Sequence, residues 1–215
     1  MLGRALIDLI APRRCAGCFR IGDGWCALCH ADLARLRLRD AGWSPLGDGV
    51  LAIGAYAYAG PVAAAVKRAK TPGGHALAPD LAAVLWPAVG IQPTELPRTW
   101  VPSAPARAKA RGAELPQVLA GPGAVRLLER HPAARKQTGL APDARRAAPR
   151  GTFRVVTAPP PVVVLIDDVR TTGATALAAA ATLRAVGARR VLVVTLCVAG
   201  GRSRADDPTA PRTAR

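Results

Sequence analysis

Two apolar runs dominate the pattern of the chain. Val162–Ile166 is β-branched and apolar at every position, and Val191–Val198 is a second apolar segment. Apolar side chains on both faces of an extended segment mark strands buried inside a parallel sheet. Between the runs, Ala174–Val186 predicts an alanine-rich helix that opens at a Thr/Gly loop and stops at Gly187. Strand, helix and strand make one βαβ unit with a right-handed crossover. Upstream, the spacing predicts helices over 1–12 and His30–Arg39, a glycine/proline hinge over Asp40–Gly49 and a strand over Val50–Ala59. Pro61–Lys70 reads as a helix with Lys67, Arg68 and Lys70 near its end, broken by Thr71-Pro-Gly-Gly74. A helix over Leu77–Leu85 is expected to stop before Pro87, and Thr99-Trp-Val-Pro102 reads as a short strand entering a basic loop. Gln117–Leu128 predicts a helix interrupted at Gly121-Pro122-Gly123. The whole is an α/β pattern: a parallel sheet flanked by helices.

Composition narrows the class. The 215 residues are 50% hydrophobic and only 4% aromatic, so the core is built from small aliphatic side chains. No apolar run approaches the ~20 residues that span a bilayer. The N-terminal stretch Met1–Ile10 contains Asp8 and lacks a small-residue cleavage site, so a cytoplasmic protein is expected. The net charge is +16, and residues 98–150 carry eleven Lys/Arg against three Asp/Glu. That balance favours anionic partners such as pyrophosphate, nucleotides or nucleic acid. An arginine-biased composition that only keeps the protein in solution accounts for it equally well.

Four of the five cysteines fall within fifteen residues as Cys15-x2-Cys18-x7-Cys26-x2-Cys29. Two CxxC knuckles supply four thiolates to one tetrahedral ion, and structural zinc is the preferred reading. An iron–sulfur cluster has the same ligand count. Cys26-Ala-Leu-Cys-His30 also fits a haem-attachment pattern, which leaves Cys15 and Cys18 without a role. A redox dithiol explains one pair and not two. Cys197 stands alone at the end of an apolar run, as a buried inert thiol does.

The richest chemistry follows Val162–Ile166. The run ends in Asp167-Asp168, then Val169-Arg170, then Thr171-Thr172-Gly173-Ala174-Thr175. Open α/β sheets bind ligands at the carboxyl ends of their strands. Two carboxylates there accept hydrogen bonds from vicinal ribose hydroxyls. Hydroxyls and backbone N–H groups at a helix N-terminus accept a phosphate. A solvated Asp pair followed by a helix cap would need only one hydroxyl.

This run resembles the phosphoribosyl-pyrophosphate (PRPP) signature of type I phosphoribosyltransferases, with Arg170 where an aliphatic residue is more usual. Together with the cysteine module, three further segments are similar to the ComF/GntX family. They are Tyr58-Ala-Gly-Pro61 through Lys70 to Ala78; Val101-Pro-Ser-Ala-Pro-Ala-Arg107-Ala-Lys-Ala-Arg111-Gly112; and Gln137–Leu140 through Arg145 to Gly151-Thr-Phe153. Where that family often has Phe-Asn-Gln, this chain has Ala113, Glu114 and Leu115. The resemblance implies an N-terminal helix and zinc-ribbon module over 1–45 and a phosphoribosyltransferase-like domain over 46–200; the polar, Pro/Gly-containing composition of 201–215 predicts a disordered tail. It implies that Asp167, Asp168, Thr171, Thr172, Gly173, Ala174, Thr175 and Lys70 bind PRPP with Mg²⁺. Arg107 and Arg111 would stand beside the leaving pyrophosphate, and phosphoribosyl transfer would follow. The alternative is a non-catalytic protein of competence and DNA uptake, binding single-stranded DNA through a basic surface.

Overall fold

A computed structural model describes residues 12–22, 24–131 and 151–203. The expected helix over 1–12 (but for Pro12), the segment Gln137–Arg145 and the tail beyond Ser203 lie outside the described residues.

Two long strands form the spine. β6 (Val162–Arg170) and β7 (Arg190–Val198) run parallel, with Ile166 opposite Val194 and Asp167 opposite Thr195. β7 also pairs in parallel with β2 (Val50–Ala57), and β6 with β3 (Arg98–Trp100). β1 (Ser44–Gly47) closes the far edge, antiparallel to β2, so the sheet order is β1-β2-β7-β6-β3. Val163, Leu165, Val193, Val194, Leu196 and Cys197 are fully buried, which is why both runs are apolar throughout. The thiol of Cys197 is free, and burial raises its pKa, with Asp168 adding to the effect.

Period-two alternation divides the core between the two faces. Val164, Ile166, Val194 and Leu196 pack with α1 (Ala27–Leu36), α2 (Gly60–Ala69), α3 (Ala78–Val89) and α5 (Leu115–Ala120). Val163, Leu165 and Val193 pack with α6 (Ala174–Ala185) and with Leu128 and Phe153. Those last two belong to a small antiparallel pair, β4 (Leu128–Arg130) with β5 (Phe153–Val155). The parallel pair β6–β7 flanking α6 matches the predicted βαβ unit.

Four expectations change. Asp40–Gly49 is not a hinge. It folds as a 3-10 turn over Arg39–Gly42, then β1 and a hairpin turned at Asp48-Gly49. Both turn residues take positive φ (49° and 71°), the requirement that makes Asp-Gly a preferred two-residue hairpin loop. The helix expected at His30 begins at Ala27 and ends at Leu36, so Cys29 lies within it. Pro87 does not stop α3, which runs to Val89 and ends at Gly90. Proline in the last turn removes one helical N–H. The terminal carbonyls are held from outside: Arg37 donates to the oxygens of Ala88 (2.7 Å) and Pro87 (3.3 Å). Finally, Gly121-Pro122-Gly123 ends α5 instead of interrupting it, and the rest of Gln117–Leu128 is loop entering β4. Arg98 fixes that break. Its buried guanidinium donates to the oxygens of Ala120 (2.8 Å) and Pro122 (2.6 Å). It therefore contributes to the fold, not to a basic surface.

The burial pattern sets an expected stability ranking. Leu165→Ala should cost about 2–5 kcal/mol in denaturant unfolding, as other buried leucine truncations do. Val162→Ala, at a strand start that is 39% exposed, should cost much less.

Candidate functional site

The chemistry gathers at two places joined by one helix. The first is the cysteine module. The Sγ atoms of Cys15, Cys18, Cys26 and Cys29 all lie within 4.8 Å of one another. Cys18 and Cys26 are 3.8 Å apart. A tetrahedral ion with metal–sulfur bonds of about 2.3 Å spaces its sulfurs by roughly 3.8 Å, so the thiols are arranged to hold an ion such as zinc. Backbone geometry prepares them. Burial opposes ionisation of Cys15, yet N–H donors from Cys26, Cys18 and Gly17 outweigh it and bring the thiol down to about 6. The Cys26 N–H stands 3.3 Å from the Cys15 Sγ. Burial moves Cys29 the other way, reinforced by the thiols around it. All four cysteines converge, which a haem attachment through Cys26 and Cys29 would not require.

The module has almost no core of its own and leans on the sheet domain. Gly17 sits so close to α2 that a Cβ there would stand 2.7 Å from Pro61 Cβ and 2.8 Å from Cys29 Sγ. Arg68 donates to the oxygens of Ala16 (2.5 Å) and Gly17 (2.6 Å). The Trp25 indole donates to Asp80 O at 3.0 Å. Substituting Cys15 or Cys26 by serine should abolish stoichiometric metal binding and release amide protection over residues 14–29. Elemental analysis and hydrogen exchange check this. A module that stays protected without metal would contradict it.

The second place is the carboxyl end of β6. Alternation sends Asp167 and Asp168 to opposite faces, so they do not act side by side. Asp168 meets Lys70, the residue that caps α2, with Nζ to Oδ1 at 2.7 Å across 98 positions of sequence. Asp167 turns toward the loop and accepts the Asp168 N–H at 2.8 Å. Burial first, and then the charge of Asp168, push the Asp167 carboxyl up to about 7; the Asp168 N–H, Lys70 and Arg130 oppose this.

Asp167, Arg170, Thr171, Gly173, Ala174 and Thr175 line a small hollow at the start of α6. Gly173 makes it. Its φ is +82°, and a Cβ there would stand 2.8 Å from Leu46 Cδ2 in the β1 hairpin. Thr172 is not part of the lining; its hydroxyl accepts the Ala174 N–H at 3.3 Å. Arg170 is a part-buried cation whose Nε is buried with no hydrogen-bond partner among the described residues, and burial lowers its pKa.

Arg107 and Arg111 lie on α4 (Pro105–Arg111). Their side chains lie outside the described residues. The backbone places α4 at the same end of the sheet. Trp100 pairs with Ile166, and the Val101 N–H bonds to Ile166 O, one residue before Asp167. Sequence reasoning treated Glu114 only as a departure from a pattern. It is a buried bracket: its carboxylate accepts the Trp100 indole N–H at 2.9 Å and the Ser103 N–H at 2.6 Å. Much of the basic segment 98–150 lies outside the described residues. No described helix is long and apolar enough to cross a membrane.

No protein-family model matches the chain, and no curated protein matches it either.

The shifted carboxyl sets a pH signature. A carboxyl whose folded pKa is raised binds its proton more tightly in the folded state. Its stabilising contribution is therefore full below about pH 4 and is lost as pH rises to about 7. Asp167→Asn should flatten unfolding stability between pH 4 and 7 relative to the native sequence. Matched chemical-denaturation curves across that range check it.

Proposed function

We propose that this chain binds PRPP, or a closely related ribose phosphate, at the carboxyl end of β6, as a phosphoribosyltransferase-like protein of the ComF/GntX type. The observation that carries the reading is convergence. A strand buried in a parallel sheet delivers two carboxylates and a Thr/Gly loop to the start of a twelve-residue helix, and Lys70 arrives there from 98 positions away. Fold alone does not assign function; the combination of groups does.

Each group has a part in this reading. The loop offers the Thr171 and Thr175 hydroxyls and the first N–H groups of α6 to a terminal phosphate. Arg170, whose buried Nε has no hydrogen-bond partner among the described residues, supplies positive charge at the same hollow. Asp167, which lines the hollow, accepts a ribose hydroxyl, while Asp168, on the other face of the strand, holds Lys70. Lys70, held against Asp168, supplies positive charge beside the pyrophosphate. Arg107 and Arg111, on a helix at the same sheet end, stand ready for the charge that develops on the leaving group. Transfer breaks the bond from C1 of the ribose to the pyrophosphate oxygen and forms one from C1 to a nitrogen nucleophile. Mg²⁺ would offset the charge of the ligand's phosphates, with Asp167 as the carboxylate of this chain that would help hold it. With Lys70 already on Asp168, the ion would be held mainly by the ligand and water.

Calorimetric titration of Mg²⁺-PRPP into metal-loaded protein tests the reading. Saturable binding is expected, and the Asp167→Asn, Asp168→Asn double variant should weaken it by about tenfold or more, since each lost bond to a charged acceptor is worth about 1.5–3 kcal/mol. Absence of binding by the native sequence would overturn it.

A further inference from the structure

The cysteine module and the carboxylate site share a helix end. Arg68, in the last turn of α2, grips the two carbonyls between Cys15 and Cys18 with separate nitrogens of its guanidinium. Two residues on, Lys70 reaches Asp168. The intervening backbone is tightly tied. The Lys70 N–H bonds to the oxygens of Val66 and Lys67, both at 3.2 Å. The Arg68 carbonyl accepts the Thr71 N–H at 2.9 Å and the Thr71 hydroxyl at 2.7 Å. The knuckle also touches the first turn of the same helix, where Gly17 meets Pro61. On the outer side the Phe19 ring lies over the Arg68 guanidinium, 4.8 Å from its centroid, with φ at +65°. A bulky residue rarely takes that conformation, and here it closes the knuckle over Arg68.

We propose that Arg68 is a positioning residue through which the metal-bound knuckle sets Lys70 against Asp168. An arginine with no such partner at a helix C-terminus would interact with the helix's own last carbonyls. Here it is spent on the cysteine module, whose two carbonyls hold fixed positions only while the knuckle is closed around its ion. Closing the knuckle fixes Arg68, Arg68 fixes the end of α2, and the end of α2 fixes the Lys70 ammonium. The metal then governs the ligand site without touching it, as supporting groups around a site commonly do. The importance of Lys70 for ligand rests on the ribose-phosphate reading; the mechanical link does not.

Competitive labelling of lysines tests the link on the full chain. Limiting acetic anhydride is added, and the modification of Lys70 is compared with that of exposed Lys109 by peptide mass spectrometry. In metal-loaded native protein Lys70 should be protected. In Arg68→Ala, and in native protein stripped of metal by a strong chelator, the ratio of Lys70 to Lys109 should rise several-fold. The Arg68→Ala protein should keep its metal. Arg68→Lys, which reaches one carbonyl and not both, should fall between. If Arg68→Ala fails to fold, Arg68→Lys and the stripped native protein decide the matter. A Lys70 ratio that stays native in those samples would overturn the proposal. In parallel, Arg68→Ala should bind Mg²⁺-PRPP about tenfold more weakly, the usual scale for loss of a supporting contact. Failure of the native protein to bind PRPP would sink the ribose-phosphate reading, while the labelling ratio would still judge Arg68.

Discussion

Asp168 is a charge at the end of a dry strand, and its pairing with Lys70 is the contact around which the molecule is organised. β6 runs through a core of fully buried valine, leucine and isoleucine and then presents two carboxylates within one step. An isolated carboxylate leaving such a core is costly unless it finds a cation or keeps a proton. The two residues solve the problem differently. Asp168 takes the Lys70 ammonium at 2.7 Å. Asp167 has only a backbone N–H at close range, and its pKa rises to about 7. Adjacent carboxylates on a strand cannot share one cation, because alternation sends them to opposite faces. The site is thereby asymmetric before any ligand arrives: one acid is paired, the other is poised near neutrality.

That asymmetry depends on where α2 ends. The helix is rich in alanine and packs flat, with Val62, Ala65 and Val66 fully buried against the sheet. Small side chains let it approach closely but grip weakly, since each buries little apolar area. The polar bonds at its last turn therefore carry more of the task of fixing its end. Arg68 points one way, to the cysteine knuckle, and Lys70 the other, to β6. A four-cysteine module of this size has too little interior to fold by burial alone. Its contacts with α2 and α3 give it a surface to lie on, and in return they fix the end of α2 where Lys70 stands.

How much of this was legible in the sequence follows from the range of each interaction. β6, α6 and β7 were readable because both-face burial leaves an uninterrupted apolar run. The four cysteines are readable because a cluster able to hold one ion declares itself by its spacing within a short segment. The β1 hairpin was readable in principle: Asp48-Gly49 is a strong turn signal, and it was overlooked because Pro45 and Gly47 made the stretch resemble a hinge. Pro87 misled for a different reason. Its helix survives on an external donor, Arg37, fifty positions away, and no local pattern shows that. The same is true of Arg98 and Glu114, buried charged residues whose partners lie across loops. A charge count along 98–150 includes Arg98 in the basic total, whereas geometry spends it on the end of α5.

Glu114 bears on what the site is able to do. It occupies a stretch where a family-like chain often carries an amide, and one reading is that a substrate contact has been lost. Its surroundings argue for a different account. The carboxylate faces inward, joins the Trp100 indole to the Ser103 backbone and is buried, so it is not oriented to meet a ligand. Trp100 ends β3, and Ser103 stands just before α4. Glu114 therefore holds the turn that carries Arg107 and Arg111 toward the sheet end. A neutral amide there would keep one acceptor oxygen and set its NH2 against the other N–H donor, so one of the two bonds would be lost. Glu114 thus anchors the loop from inside, and the proposed ribose-phosphate reading rests on the β6–α6 hollow and on Lys70 instead. Under that proposal, any selectivity for a nitrogen nucleophile must come from groups other than the side chain at position 114.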